Sequence, residues 1–229
     1  MSIRINKYLS EKGVCSRRAA DKIVEEGRVT VNGIPAVMGQ TVEDTDEVFV
    51  DGKIINKDIK KVVIALNKPV GVVVSESDSH AEKIITELID YPDRLTYAGR
   101  LDKDSEGLIL LTNDGDFINR AMKGINGHEK EYIVTLDKEV MSDDIKRLEK
   151  GIYIKDLDRK TKACKIKKIG KCSVNIILTE GLNRQIRRMF KIVGYNVIKL
   201  KRIRVINIML NDLKPGQYLN IYIPRNLHH

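Results

Sequence analysis

An acid-rich loop that runs directly into a block of aliphatic residues constrains this chain more than any other stretch. The loop contains Asp102, Asp104 and Glu106 and ends at Gly107, and the next four residues, 108–111, are all aliphatic. A short aliphatic run bounded by turn residues is typical of a buried strand. Because an unpaired carboxylate beside a core costs several kcal/mol, we expect these acids to have either partners or a chemical role.

Two structural interpretations of the loop need no catalysis. The spacing acid-x-acid-x-acid-Gly also opens a calcium-binding loop, but its twelfth position, which needs a bidentate glutamate, is Asn113. We therefore reject the calcium interpretation. A solvated turn, whose acids accept hydrogen bonds from nearby backbone amides, remains open on the residues alone.

The net charge of the chain indicates which class of molecule it binds. Among 229 residues, 41 Lys and Arg exceed 32 Asp and Glu, which gives a formal net charge of +9. Such an excess favours a polyanion, either nucleic acid or an anionic membrane surface. No apolar run is long enough to span a bilayer, and the first residues have no signal-peptide core. We therefore expect a nucleic-acid partner, no membrane association and a cytoplasmic location.

Cysteine usage and short motifs predict chemistry without a cofactor. Cys15, Cys164 and Cys172 have no Cys-x-x-Cys spacing, so we interpret them as reduced thiols. The chain has no Gly-x-Gly-x-x-Gly, no P-loop and no metal-ligand cluster. We accordingly expect neither a cofactor nor a bound metal.

The first 55 residues have the pattern of a small module of two helices followed by strands. Ser16 can cap a helix over Arg17–Glu26, which Gly27 would stop. A first helix precedes it, and residues 28–33 predict a strand that ends in an Asn-Gly turn. On the second helix the basic residues Arg17, Arg18 and Lys22 lie on the exposed side. A solvated surface and an RNA contact both fit this basic face.

The remainder of the chain alternates strands with short helices. We predict strands at 62–66, 72–74 and 131–136, and a pair of strands within 163–178 that turns at Gly170. We predict helices at 84–89, 117–122 and 142–149. Residues 56–61 are polar and charged and form the expected linker between the two parts.

A last helix, capped by Asn183 and ended by Gly194, carries a row of arginines. At about 100° per residue its apolar side chains share one face, and Arg184 and Arg188 fall nearly opposite. Arg187 lies at the seam between the two faces. A side chain at that seam can point along the domain surface into a cleft.

Several of these stretches together resemble a known enzyme family. The stretch Gly99–Leu108 closely resembles the catalytic motif of pseudouridine synthases of the RsuA branch. The tetrad Asp102–Ser105 and the later stretch His128–Tyr132 are most similar to its RluF-type members, which act on large-subunit rRNA. The similarity runs from near Arg4 to about Arg204. The N-terminal part is similar to an S4 RNA-binding domain, whose two helices lay a basic face on RNA.

The resemblance implies roles for individual residues. It makes Asp102 the catalytic aspartate, acting either as nucleophile at C1′ or as base at C2′. It implies that Tyr132 packs against the target base and assists removal of the C5 proton, and that Arg187 pairs with Asp102. Lys68-Pro69-x-Gly71 resembles the opening motif of the family, but a turn between two core strands explains it, so we assign it a scaffold role. The RNA-binding residues implied are Arg4, Lys7, Arg17, Arg18, Lys22, Arg100, Arg184 and Arg188.

These observations combine into one prediction. We expect an α+β protein with an S4 domain at 1–55, a linker at 56–61 and a catalytic domain at 62–229 built on a mixed, mostly antiparallel sheet. We expect it to isomerise uridine to pseudouridine in structured RNA, most specifically large-subunit rRNA, as a monomer. Two alternatives stay open: the same chemistry on tRNA, and a non-catalytic RNA-binding ribosome-assembly protein with this fold.

Overall fold

The computed structural model describes residues 2–56, 58–75, 81–122 and 127–221. Its helices are α1 (Ile5–Glu11), α2 (Arg17–Glu25), α3 (Gly115–Met122), α4 (Ser142–Glu149) and α5 (Gln185–Ile192). Its strands are β1 (Ile3–Arg4), β2 (Val29–Val31), β3 (Ile34–Pro35), β4 (Thr41–Val42), β5 (Val48–Val50), β6 (Lys53–Ile54), β7 (Val63–Lys68), β8 (Thr96–Ala98), β9 (Glu106–Thr112), β10 (Lys130–Leu136), β11 (Tyr153–Ile154), β12 (Arg159–Lys160), β13 (Lys165–Gly170), β14 (Ser173–Leu178), β15 (Val197–Val205), β16 (Ile208–Met209) and β17 (Tyr218–Ile221). None of the described helices is long and apolar enough to cross a membrane.

The chain divides into two compact units. The first contains residues 1–62 together with Tyr91–Leu95 and Asn113–Gly115, and the second contains the rest. In the first unit, α1 and α2 pack beside a four-stranded sheet of order β3-β2-β5-β6 and the pair β1-β4. The two short inserts lie inside the range that we predicted for the catalytic domain.

The N-terminal module folds as its sequence pattern predicts. The Ser16 side chain accepts a hydrogen bond from the Ala19 backbone N–H at 3.2 Å, which caps α2. Asn32 and Gly33 have φ values of 51° and 80°, the left-handed conformation that a tight hairpin turn requires. Ala20 and Val24 of α2 are buried in the core, whereas Arg17, Arg18 and Lys22 are exposed.

The predicted linker is bonded within the first unit. The Lys12 ammonium lies 2.9 Å from the Asp58 carboxylate, and the Lys60 carbonyl accepts a hydrogen bond from the Asn113 side chain at 2.9 Å. The Val62 backbone N–H donates to the Asn113 side-chain oxygen, also at 2.9 Å. Asn113 therefore clasps the residues that lead into β7.

The second unit is organised around a mixed sheet of order β13-β14-β10-β15-β9-β7-β17, with β8 and β16 paired at the side. All its pairings are antiparallel except that of β9 with β15. This confirms the predicted mixed, mostly antiparallel sheet. Helix α3 packs Phe117 and Ala121 onto Leu108 and Leu110 of β9.

The structure corrects several predicted elements. Residues 72–74 form no strand and make only an isolated bridge between Val73 and Ile84. The helix expected at 84–89 is a single 3₁₀ turn over Ile85–Leu88. The N-cap of α5 is Arg184, in the left-handed conformation with φ 49°, and not Asn183. The central strand β15 had no sequence prediction, because four of its nine residues are lysines or arginines and they interrupt the aliphatic pattern.

A β-bulge between β10 and β15 separates two arginines that would otherwise share a face. Glu131 lies opposite Arg204 and Tyr132 opposite Arg202, so Ile203 has no partner in the ladder. Arg202 consequently faces the buried side with Tyr132, and Arg204 turns with Glu131 to the other side. Arg202 is 2% exposed.

Candidate active site

The acid loop is a tight turn held against the start of β9. The Ser105 backbone N–H donates to the Asp102 carbonyl at 3.0 Å, and the Gly71 N–H donates to the Lys103 carbonyl at 2.8 Å. Gly107 follows with φ 111°, and a Cβ there would meet the Arg202 carbonyl oxygen at 2.2 Å. Only glycine allows β9 and β15 to approach this closely. The sequence thus fixes the loop at the edge of the parallel strand pair.

Two arginines of the α5 region hold the loop through Asp104. Arg184 makes a two-point contact with the Asp104 carboxylate, Nη2 to Oδ2 at 2.8 Å and Nη1 to Oδ1 at 3.2 Å. The Arg187 Nε lies 3.3 Å from the same carboxylate. Burial alone would raise the pKa of Asp104, but the hydrogen bonds from Arg184 and the charges of both arginines outweigh it and lower that pKa. Asp104 is therefore a charged anchor of the loop.

The predicted ion pair between Arg187 and Asp102 is wrong. The cation beside Asp102 is Arg184, whose Nη1 lies 3.6 Å from Oδ2. Arg187 instead donates from Nη2 to the Asp104 carbonyl at 2.8 Å and from Nη1 to the Val197 carbonyl at 2.9 Å. Its position at the helix seam turns it toward the loop as expected, but its guanidinium is occupied by the backbone of the loop and of β15.

A cavity of about 570 Å³ opens beside Asp102 within the second unit. Asp102 lines it from the loop, Tyr132 from β10, and Arg184 and Ile186 from the start of α5. Tyr132 is 8% exposed and shares its face of β10 with Val134 and Leu136, as its alternation predicts. The other lining residues are Gly99, Arg100, Leu101, Ser105, Met122, Lys130, Arg159, Leu178, Glu180, Gly181, Leu182, Asn183, Gln185, Leu200 and Arg202. Arg187 does not line the cavity.

Lys68 is a charged group of this region that sequence reasoning treated as scaffold. It ends β7 with no exposed surface, and its Nζ donates to the Pro69 carbonyl at 2.8 Å. Burial lowers the pKa of Lys68 to about 8, against the opposing attraction of Asp104 and Asp102. The available signal was a lysine close behind the aliphatic run 62–66, since a charge there breaks the pattern of the strand.

Glu180 also lines the cavity, and it has hydrogen-bond partners of its own. It is 6% exposed, and its Oε1 accepts hydrogen bonds from the Lys162 backbone N–H and the Gln185 side chain, each at 2.8 Å. The Arg159 Nη2 lies 3.9 Å from its other oxygen. This network fixes the Gly181–Arg184 turn that leads into α5.

The predicted RNA-binding residues fall into two groups. In the first unit, Arg4 ends β1, Lys7 lies on α1, and α2 carries Arg17, Arg18 and Lys22. In the second unit, Arg100 and Arg184 line the cavity, whereas Arg188 pairs with Asp156 outside it. Over the described residues, no group of three or more His, Cys, Asp or Glu side chains could hold a metal ion.

Comparison with known families matches both units. Residues 3–48 match the S4 domain, and residues 62–191, more than half of the chain, match the RNA pseudouridylate synthase family. The chain belongs to the RNA pseudouridine synthases. The dual-specificity RNA pseudouridine synthase RluF of Escherichia coli K12 is 44% identical over 224 residues, which cover 96% of this chain and 76% of that protein.

Further relatives extend the similarity along the whole chain. The ribosomal large subunit pseudouridine synthase B of Bacillus subtilis is 35% identical over 219 residues, 93% of this chain and 89% of that protein. A crystal structure of a pseudouridylate synthase, 29% identical, superposes with a TM-score of 0.71 and covers 96% of both chains. The family, the fold and the isomerisation of uridine in RNA, all predicted from the sequence, are thereby confirmed.

Proposed function

We propose that this enzyme converts specific uridines of large-subunit ribosomal RNA to pseudouridine, with Asp102 as the catalytic aspartate. The observation that carries the assignment is the position of the Asp102 carboxylate. It lines a cavity of about 570 Å³ that Tyr132 also lines, and it lies 3.6 Å from the Arg184 guanidinium. A cavity of this size is typical of small-ligand sites and can accept one extruded nucleotide.

The reaction is an isomerisation, so its atoms balance without an oxidant or reductant. The C1′–N1 bond of the uridine breaks, the base turns, and C1′ bonds to C5. C5 loses its proton, and N1 ends protonated. Whether the carboxylate attacks C1′ or removes the C2′ proton, it must be ionised to act, and the Arg184 guanidinium lies 3.6 Å from it.

Tyr132 and Arg187 assist in different ways under this proposal. The Tyr132 ring packs against the uracil, and its position beside the base suits assistance in removing the C5 proton. Arg187 does not touch the substrate but positions Asp102, because it ties the Asp104 carbonyl to the start of β15. Arg184 has two functions, since it contacts both Asp102 and Asp104.

RNA affinity comes from a second set of residues. We propose that residues 1–55 act as an S4 RNA-binding domain and that residues 56–61 join it to a catalytic domain at 62–229. Residues 222–229 of that range lie outside the described part of the chain. The exposed Arg17, Arg18 and Lys22, with Arg4 and Lys7, contact phosphates and so supply affinity and register, not base identity. Arg100, Arg184 and Arg188 contact RNA around the catalytic cavity.

The choice of ribosomal RNA is supported by the names of the relatives, of which one acts on the ribosomal large subunit and another is described as dual-specificity. Transfer RNA, the alternative that the sequence leaves open, is the second candidate. The test is to map pseudouridines in ribosomal and transfer RNA from a strain lacking this gene. We expect at least one position of large-subunit rRNA to remain uridine and to be restored by the wild-type gene. Complete modification of that RNA would contradict the substrate assignment.

We also propose that the enzyme works as a monomer in the cytoplasm without membrane attachment. A single chain supplies the carboxylate, the tyrosine and the arginine of the cavity.

A further inference from the structure

The wall of the catalytic cavity carries more positive than negative charge. Five of its lining side chains are cationic, Arg100, Lys130, Arg159, Arg184 and Arg202, and two are acidic, Asp102 and Glu180. Arg184 lies 3.6 Å from Asp102 and Arg159 lies 3.9 Å from Glu180. Three cations therefore line the cavity without a carboxylate from the same wall.

Lys130 is one of these three cations. The two glutamates beside it in sequence, Glu129 and Glu131, bind other side chains. Glu131 accepts hydrogen bonds from Arg204 Nε at 2.7 Å and from the Asn175 side chain at 2.8 Å. Glu129 accepts from Arg204 Nη2 at 2.9 Å and lies 3.7 Å from the Lys165 ammonium. Arg204 thus holds both acids that flank Lys130 in sequence.

The β-bulge at Ile203 is what makes this division possible. In a regular strand, residues two apart face the same side, so Arg202 and Arg204 would point together. The extra residue turns Arg204 to the side of Glu131 and leaves Arg202 opposite Tyr132. Lys130, two residues before Tyr132 on β10, lies on the cavity side with Arg202 and away from both glutamates.

Arg202 adds a fixed positive charge behind Lys130. Its Nε donates to the Leu108 carbonyl at 2.7 Å and its Nη1 to the Arg100 carbonyl at 3.3 Å, while its buried Nη2 makes no hydrogen bond among the described residues. Burial lowers the pKa of Lys130, and the charge of Arg202 lowers it further. Two cations held together without a carboxylate are unfavourable until an anion enters.

We infer that Lys130 binds a phosphodiester group of the RNA strand that carries the target uridine. The inference rests on the proposed function and names the group that holds the nucleotide while its base is turned. A phosphate is the anion that every RNA substrate brings, and a lysine binds it as a point charge. A uracil carbonyl bears no full charge, so its binding would leave the excess positive charge of the cavity wall without a counter-charge.

The test measures the affinity of the full-length protein for two small probes, uridine 3′,5′-bisphosphate and uridine. Each probe is titrated into the protein and its binding is followed by NMR. The variant is Lys130→Met, which keeps the unbranched side chain to within one atom of its length and removes the charge. The matched control is Lys146→Met, because Lys146 is an exposed lysine of α4 that pairs with Asp143 at 3.2 Å and does not line the cavity. We expect Lys130→Met to lose at least about tenfold of the affinity for the bisphosphate and little for uridine. Lys130→Arg should keep most of the affinity, and the control should match wild type.

Two outcomes would overturn the inference. Unchanged bisphosphate affinity in Lys130→Met would show that the lysine does not contact phosphate. Equal losses for uridine and the bisphosphate would assign Lys130 to the base or sugar. If the Met variant does not fold, Lys130→Gln gives the same comparison. Because binding needs no turnover, Asp102→Asn should retain the phosphate preference even though it forms no pseudouridine, which separates this inference from the catalytic assignment.

Discussion

The Arg184 guanidinium grips the Asp104 carboxylate at two points, 2.8 and 3.2 Å, while the same guanidinium lies 3.6 Å from Asp102. One side chain at the start of α5 therefore both positions the acid loop and supplies the cation nearest the proposed catalytic carboxylate. The left-handed backbone of Arg184, φ 49°, starts the helix at the point that brings its side chain to the loop.

Arg184→Ala should lower kcat by a larger factor than it weakens the binding of RNA. The substitution removes the partner of Asp102 and one of two clasps on Asp104, and a shift of about 1 Å at a reacting group can cost about a hundredfold in rate. We expect a loss of about that size in tritium release from C5-tritiated RNA. Arg147→Ala on the exposed side of α4 is the control. Activity within about twofold of wild type in Arg184→Ala would contradict this role.

Arg187→Lys should also reduce turnover, although Arg187 lies outside the cavity. The guanidinium bridges the Asp104 and Val197 carbonyls, and an ammonium cannot span both with the same geometry. We expect a fall in kcat with a smaller change in the affinity for RNA, because the loop is misplaced while the binding surfaces persist. A variant that loses RNA affinity and keeps kcat would show instead that Arg187 contacts the substrate.

Local sequence patterns predicted most of the helices and strands, and they also indicated the two candidate site residues Asp102 and Tyr132. The Ser16 cap, the Asn32-Gly33 turn and the alternation around Tyr132 are decided by neighbouring residues, so the sequence predicted them correctly. Asp102 could be proposed from the sequence because its motif is local and because an acid beside a core strand is unusual.

The arginine that pairs with Asp102 could not be chosen from the sequence. Arg184 and Arg187 both lie near the start of α5, and the structure places Arg184, which has a left-handed backbone, beside the carboxylate. Arg202 was missed for a different reason. It is buried only because a bulge at Ile203 shifts the register between β10 and β15, and register depends on the partner strand.

Lys68 should make the stability of the protein depend on pH in the alkaline range. Its pKa is about 8 in the folded protein and ordinarily 10.5, so between these values the unfolded chain holds the additional proton. The unfavourable contribution of the buried charge is therefore complete below about pH 8 and is relieved as the pH rises. Relative to Lys68→Met, wild type should gain at most about 1.4 kcal/mol of unfolding free energy per pH unit in this range. Urea unfolding at about pH 7 and about pH 9.5 measures the difference, and a constant difference would contradict the buried charge.

The double substitution Arg17→Ala with Arg18→Ala should weaken RNA binding and flatten its salt dependence. Both side chains are exposed on α2. If each contacts one phosphate, the slope of log K against log salt should fall by about 1.5. Filter binding across a salt series measures it, with the exposed pair Lys53→Ala and Lys60→Ala as the charge-matched control. Equal slopes in the variant and wild type would remove this face from the RNA interface.

The most direct test of the central claim is tritium release from C5-tritiated RNA by Asp102→Asn, measured beside its affinity for the same RNA. The amide keeps the size of the carboxylate and removes its charge and its capacity to act at C1′ or C2′. We predict RNA affinity within about twofold of wild type and no release above background over many wild-type turnovers. Release at a rate near wild type would show that another group performs the chemistry.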